Sequence, residues 1–184
     1  MLPVSKVKRT HIHTRKVLFK GFSREDGLWD IEAHLLDTKP MAFETPGHRS
    51  WEAEEPMHDM SIRLTVDNEL TVKDICVSMD ASPQPECPSA LDPIQKMVGS
   101  KLGVGWRKSI EQHLGKVAGC AHIRELLFNM ATAAFQSIPG GLSANIDPDH
   151  PPHHLGKCKA WDFNGEAVLK YHPAFHGWKP KETK

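Results

Sequence analysis

The stretch Trp29-Asp30-Ile31-Glu32-Ala33-His34-Leu35-Leu36-Asp37, read with His58-Asp59-Met60-Ser61-Ile62-Arg63-Leu64-Thr65-Val66, decides the fold of this chain. Successive side chains of a strand point to opposite faces. Asp30, Glu32 and His34 therefore share one face, with Trp29, Ile31, Ala33 and Leu35 on the other. In the second run His58, Met60, Ile62, Leu64 and Val66 oppose Asp59, Ser61, Arg63 and Thr65. Two half-buried strands of this kind belong to one antiparallel sheet with a wet side and a dry side.

Neighbouring segments extend the sheet. Residues 15–23 read as a strand turned by Glu25-Asp26-Gly27 into the strand at 28–37, and Asn68-Glu69 links 58–67 to a fourth strand over 70–80. Between them, Met41 to Pro56 has no periodicity, and a connection of this length is expected to act as a lid or binding loop. Pro83, Pro85 and Pro88 then mark a change to helical spacing. Leu91–Val98 suggests a short helix. Trp106, Ile110, Leu114 and Val117 suggest a second, and Ile123, Leu126, Leu127, Met130, Ala134 and Ile138 a long third one, closed by Pro139-Gly140-Gly141. Asn164-Gly165 between Cys158–Phe163 and Glu166–Leu169 predicts a final β-hairpin.

The expected fold is α+β, an antiparallel sheet of about four to six strands packed on one face by helices of the C-terminal half, with that hairpin at the end. The expected organisation is an N-terminal extension over 1–13, one domain over 14–172 and a tail over 173–184. A chain of 184 residues buries roughly 70% of its unfolded surface without disulfides, so one core suffices.

Composition narrows the partners. Lys plus Arg and Asp plus Glu number 23 each, so no basic field exists to drive binding to nucleic acid. No window approaches the ~18 apolar residues of a membrane span, and the start lacks the apolar core of a signal peptide. A cytoplasmic protein is expected. Cys76, Cys87, Cys120 and Cys158 show no CxxC spacing, so reduced thiols are expected rather than a disulfide framework or a zinc module. Twelve histidines are the one compositional hint of acid/base or metal chemistry.

Three constellations carry chemistry. Asp30, Glu32 and His34 share the wet face with Asp59, Ser61 and Arg63, where residues two apart lie roughly 7 Å from each other. Carboxylates at that distance disfavour each other's ionisation, while a neighbouring His or Arg opposes the effect. An ordinary solvated face with cross-strand ion pairs explains the same pattern. The second constellation is Gly119-Cys120-Ala121-His122, which opens the long helix with Glu125 and Asn129 following on the face of His122. A helix N-terminus favours a thiolate, whereas the register of Cys120 with Ile123 and Leu127 favours plain burial. The third is a zinc site built from His58, Cys120 and His122, with Cys158 more remote, chemically acceptable ligands without local spacing. His11 and His13 are alternate residues on an N-terminal extension and are expected to carry no function, while His150, His153 and His154, in a proline-stiffened loop, read as exposed. Gly99–Gly105 lacks the Lys-Ser/Thr of a phosphate loop.

Arg24-Glu25-Asp26-Gly27-Leu28-Trp29-Asp30-Ile31-Glu32-Ala33-His34-Leu35-Leu36-Asp37-Thr38-Lys39, His58-Asp59-Met60, Arg63-Leu64-Thr65, and Gly119-Cys120-Ala121-His122 with Glu125-Leu126-Leu127 together resemble the bacterial family catalogued as domain of unknown function 2889. The likeness runs from about Thr14 to Cys158. Its matching positions are Arg24, Asp26, Asp30, His34, His58, Asp59, Arg63, Cys120 and His122. Ala121 stands where Thr is expected, which removes a hydroxyl beside His122. The resemblance implies no activity, only a setting in bacterial aromatic or lipid-like catabolism.

The function expected is a small cofactor-independent acid/base enzyme, a lyase or isomerase, acting on a small aromatic or carbonyl-containing molecule. A retro-aldol cleavage releasing formaldehyde or another aldehyde needs only a base and an acid. Glu32 or His34 would take the proton, Asp30 or Asp59 would hold the imidazole, and Arg63 would stabilise anionic charge. Arg24, His58 and His122 are expected to bind substrate. The alternatives are a non-catalytic ligand-binding or homodimeric assembly protein using the charged face as its interface, and a metal-dependent enzyme using His58, Cys120 and His122.

Overall fold

The computed structural model describes residues 1–45, 49–138, 151–152 and 154–179. The chain forms two compact units, Met1–Ala134 and Phe135–Lys184, with the boundary inside the last turn of a helix. That boundary falls within the span expected as one domain.

The first unit is built on four antiparallel strands: β1 (Thr14–Ser23), β2 (Trp29–Thr38), β5 (His58–Val66) and β6 (Val72–Ala81), in the order β1-β2-β5-β6. Each is the strand the alternation predicts, to within two residues at either end. The β1–β2 turn closes with Arg24 N–H donating to the Leu28 carbonyl at 3.0 Å, and Gly27 takes a φ of 80°, which favours a residue without a Cβ. Register places Leu35 opposite Met60, Ala33 opposite Ile62 and Ile31 opposite Leu64. All six are essentially inaccessible to solvent. Burying a large apolar side chain contributes roughly 1.5–3 kcal/mol, so a one-residue slip that exposed this row would cost about as much as a whole domain's net stability.

Helices close over that dry face. A 3₁₀ run at Cys87–Met97 replaces the helix expected at 91–98, with Pro88 at its start and Pro93 inside it. Proline withholds the N–H that an α-helical ladder needs. Gln95 Nε2 ties the run to the sheet by donating to the Ile75 carbonyl at 2.9 Å. Helix α1 (Trp106–Leu114) buries Trp106, Ile110 and Leu114, and α2 (Ala121–Ser137) buries Ile123, Leu126, Leu127, Met130 and Ala134. Trp106 Nε1 donates to the Leu127 carbonyl at 2.7 Å, locking the two helices together. Val117, expected to continue α1, is fully exposed because the helix stops at Gly115, whose backbone is extended. The expected stop of α2 at Pro139-Gly140-Gly141 lies outside the described residues.

The segment at 41–56 contains a two-stranded sheet, β3 (Phe43–Glu44) with β4 (Ser50–Trp51). Trp51 is buried, stacks with Phe43 at 6.0 Å and carries the Arg49 guanidinium over its ring at 3.6 Å. Its far end returns to the end of β2, where Glu54 N–H donates to the Lys39 carbonyl and Met57 N–H to the Asp37 carbonyl.

The second unit corrects the expected hairpin. Lys159–Trp161 is a 3₁₀ turn and Glu166–Tyr171 is helix α3. Asp162 makes the difference. Its Oδ1 accepts from Asn164 N–H at 3.0 Å and its carbonyl from Gly165 N–H at 2.7 Å, which folds Asn164-Gly165 into a helix entry. Leu155, Val168 and Phe175 form this unit's core with Trp161, Phe163 and Trp178 around them, so residues 173–178 belong to a packed body rather than to a tail. His154 is buried and lies 3.2 Å from His172, Nε2 to Nε2, against the expected exposure. His150 and His153 lie outside the described residues. Among the described residues no helix is long and apolar enough to cross a membrane.

Candidate functional site

Alternation along β2 does not stop at Leu35. One more step puts Asp37 on the dry face, and one step back from Met60 puts His58 there, directly opposite it in the register. Arg15 is opposite Asp37 on the other side, in β1. A carboxylate at the end of an apolar row must find charged partners, because an isolated buried ion is prohibitively costly.

Asp37 finds four donors. Arg15 grips it with a fork, Nε to Oδ1 and Nη2 to Oδ2, both at 2.8 Å. His58 Nδ1 donates to Oδ2 at 3.0 Å and His13 Nε2 to Oδ1 at 3.1 Å. The Asp37 side chain is 2% exposed and that of His58 14%. From α2, His122 brings its ring to 4.0 Å from that of His58, centroid to centroid. Cys120, whose carbonyl accepts the first helical N–H from Arg124, places its sulfur 3.8 Å from His122 Nδ1. Glu125, one turn into the helix, accepts from Arg15 Nη1 at 2.9 Å. One guanidinium thus joins β1, β2 and α2.

The electrostatics follow from burial and the guanidinium. Desolvation alone would push the Asp37 carboxyl up, but the Arg15 fork and the adjoining imidazoles outweigh it and hold the group below the usual carboxylate range. Burial pushes the His58 imidazole down, and Asp37 only partly opposes this. His122 is pushed down by burial first, then by His58 and Arg15. The cluster therefore pairs an ionised carboxylate with two neutral imidazoles near neutral pH. With Nδ1–H of His58 committed to Asp37, its Nε2 carries a lone pair that can accept a proton.

The expected residues on the wet face are brought together differently. His34 Nε2 donates to Asp59 Oδ1 at 2.7 Å, so a carboxylate does hold that imidazole, but the side chains are 43% and 29% exposed. Asp30 accepts from Thr65 Oγ1 at 2.6 Å and from Arg24 Nη1 at 3.1 Å. Arg24 also grips Asp26, Nη2 to Oδ2 at 2.7 Å, so its guanidinium is fully engaged. Arg63 is exposed and donates to Cys76 Sγ at 3.6 Å. Glu32 and His34 line a shallow, open depression of about 310 Å³ with Leu18, Lys20, Ala33 and Ser61. None of the described residues of the segment at 41–56 lines that depression.

Of the expected binding residues, His58 and His122 converge while Arg24 is on the far face. For a metal, the side chains that come together are Asp37, His58 and His122, whose ligand atoms lie within 4.8 Å of one another, with a carboxylate where the thiol of Cys120 was expected. Asp37 and Arg15 escaped the reading of the sequence, and His13 was expected to carry no function. The signal available was the parity of Asp37 with Ile31, Ala33 and Leu35.

No curated protein and no solved structure matches the chain. A family model described as protein of unknown function (DUF2889) matches residues 13–136, a span that holds His13, Arg15, Asp37, His58, Cys120 and His122, and the chain belongs to that family.

Proposed function

We propose that this chain is a small-molecule enzyme of the lyase or isomerase type whose proton-transfer centre is the Asp37–His58–His122 cluster on the dry side of the sheet. The carrying observation is the hydrogen bond from His58 Nδ1 to a buried, Arg15-clamped Asp37, with a second imidazole 4.0 Å away. Asp37 fixes the His58 tautomer and orientation, and His58 Nε2 takes the proton. His122 is placed to return one. General acid/base catalysis of this kind supplies about 10²–10⁴ in rate.

A carbonyl compound suits such a centre because its α-position, or a β-hydroxyl, yields a proton to a neutral imidazole. In a retro-aldol cleavage the base removes the hydroxyl proton, the carbon–carbon bond breaks, an aldehyde leaves, and the enolate takes a proton back from the imidazolium. An aromatic catabolic substrate and a cytoplasmic setting belong to this proposal, and four free thiols support a reducing compartment.

The test is turnover of a panel of aryl β-hydroxy carbonyl compounds, read as aldehyde release and as solvent-deuterium incorporation. His58→Gln and His122→Gln are expected to lose at least tenfold in kcat/KM, with His34→Ala and Glu32→Gln within twofold of the parent. The opposite pattern would move the chemistry to the wet face.

A second reading is a homodimer assembled across the wet face, favoured by the exposure of Leu18 and Phe22 beside the charged row. Light scattering on the purified chain tests it, a dimer that Leu18→Lys dissociates being the expected sign.

A further inference from the structure

We infer that Asp37, His58 and His122 bind one divalent transition-metal ion. The inference rests on the reading of this cluster as the working site and names what that site holds. One ligand atom from each residue already lies within 4.8 Å of the others. Zinc-like ions bind imidazole nitrogen and carboxylate oxygen at about 2.0–2.2 Å, so ligand atoms around one ion stand about 3–4 Å apart. Asp37 Oδ2 and His58 Nδ1 are 3.0 Å apart as they stand. A pair at the 4.8 Å limit needs to close by about 1–2 Å, within reach of a side-chain rotamer adjustment.

Outer support for the ligands is also in place. Ligating carboxylates are themselves hydrogen-bonded in metal sites. Here Arg15 and His13 hold Oδ1 of Asp37 while Arg15 Nη2 reaches Oδ2, which leaves the carboxylate oriented toward the two imidazoles. Arg15 is in turn held by Glu125, so the nearest formal charges are two negative and one positive, a balance that accepts a dication. The three ligands come from β2, β5 and the start of α2, all within the unit Met1–Ala134, and so sit on regular elements that fix the geometry.

Binding requires the other tautomer of His58. The proton on His58 Nδ1 moves to Nε2, so that Nδ1 meets the ion as a neutral ligand and Nε2 is a base only in the metal-free chain. Imidazole and carboxylate donors together select zinc, cobalt or ferrous iron over magnesium and calcium. Three protein ligands leave a position open for water, whose pKa on zinc falls to about 7. Cys120 is near His122 but outside the ligand group.

The experiment uses the full chain, free of any histidine tag, stripped with a chelator and dialysed. Zinc is titrated calorimetrically and cobalt by visible absorption. The expected result is one equivalent with a sub-micromolar Kd, a d–d spectrum with cobalt, and a raised Tm. His122→Gln and His58→Gln should each weaken binding at least tenfold, while His34→Gln and Cys120→Ser leave it within threefold. Absence of binding, or parent-like affinity in both His122→Gln and His58→Gln, overturns the inference. Circular dichroism confirms that the variants fold, and Asp37→Asn provides a third variant at the same ion. Because binding is read without substrate, the two claims separate. A chain that binds no zinc yet loses turnover in His58→Gln leaves the acid/base reading standing alone, and a chain that binds zinc through His58 and His122 while His58→Gln keeps parent turnover leaves the inference standing alone.

Discussion

Two histidine–aspartate pairs sit back to back in this sheet. His58 and Asp59 are consecutive, so one points into the dry side to meet Asp37 and the other into the wet side to meet His34. The bonds differ little, 3.0 Å against 2.7 Å, yet the surroundings differ completely. Asp37 is sealed and clamped by Arg15, whereas His34 lines an open depression and its partner Asp59 is itself partly exposed. An exposed pair of this kind contributes about 0–1 kcal/mol, while removing one member of a buried pair costs about 3–5 kcal/mol. Residue identity alone therefore says little about what a His–Asp pair does, and the face it occupies says most.

The largest expected effect comes from breaking the buried pair. Asp37→Ala leaves His13 and His58 without their carboxylate and Arg15 with Glu125 alone, and should destabilise the chain by about 3–5 kcal/mol, on the order of 10 °C in Tm by calorimetry. A loss below about 1 kcal/mol would place Asp37 with the surface pairs.

Acid should be the next strongest probe. The folded-state pKa values of His58 and His122 are depressed, so between those values and the ordinary 6.5 the unfolded chain binds more protons than the folded one. Stability from these groups is present above about 6.5 and is lost as pH falls below it. Asp37, also depressed, adds stability present above its unfolded value of about 3.9 and lost as pH falls further. Melts of chelator-treated protein from pH 8 to pH 3 should therefore show two acid steps, the upper one missing in a His58→Gln/His122→Gln double variant. A profile unchanged by that double variant would remove the imidazoles from the account.

The smallest effect belongs to the wet face. His34→Ala should cost less than about 1 kcal/mol, and the cost should shrink further in high salt. A larger, salt-insensitive loss would show that something covers this face.

The architecture was readable where local pattern and tertiary burial agree. The alternation of Met60, Ile62 and Leu64 and the helical spacing of Ile123, Leu127 and Met130 needed no partner to be recognised. Asn164-Gly165 misled because the Asp162 side chain and carbonyl, two and three residues earlier, turned a hairpin signal into a helix entry. The site was half legible. His58 and His122 were singled out from their own surroundings, but Asp37 looks like the polar end of a strand until Arg15 and His58 are known to flank it across the sheet. That knowledge is register, which pairs residues more than twenty positions apart and leaves no mark in either run alone.

The central claim is that the dry side of the sheet holds a neutral imidazole on an ionised carboxylate, ready to accept a proton. Long-range ¹H–¹⁵N correlation of the histidine rings in metal-free protein, followed through a pH titration, tests it most directly. His58 is expected to carry its proton on Nδ1 at pH 7 and to become imidazolium only below the ordinary 6.5. A His58 ring already doubly protonated at pH 7, or protonated on Nε2 alone, would contradict it.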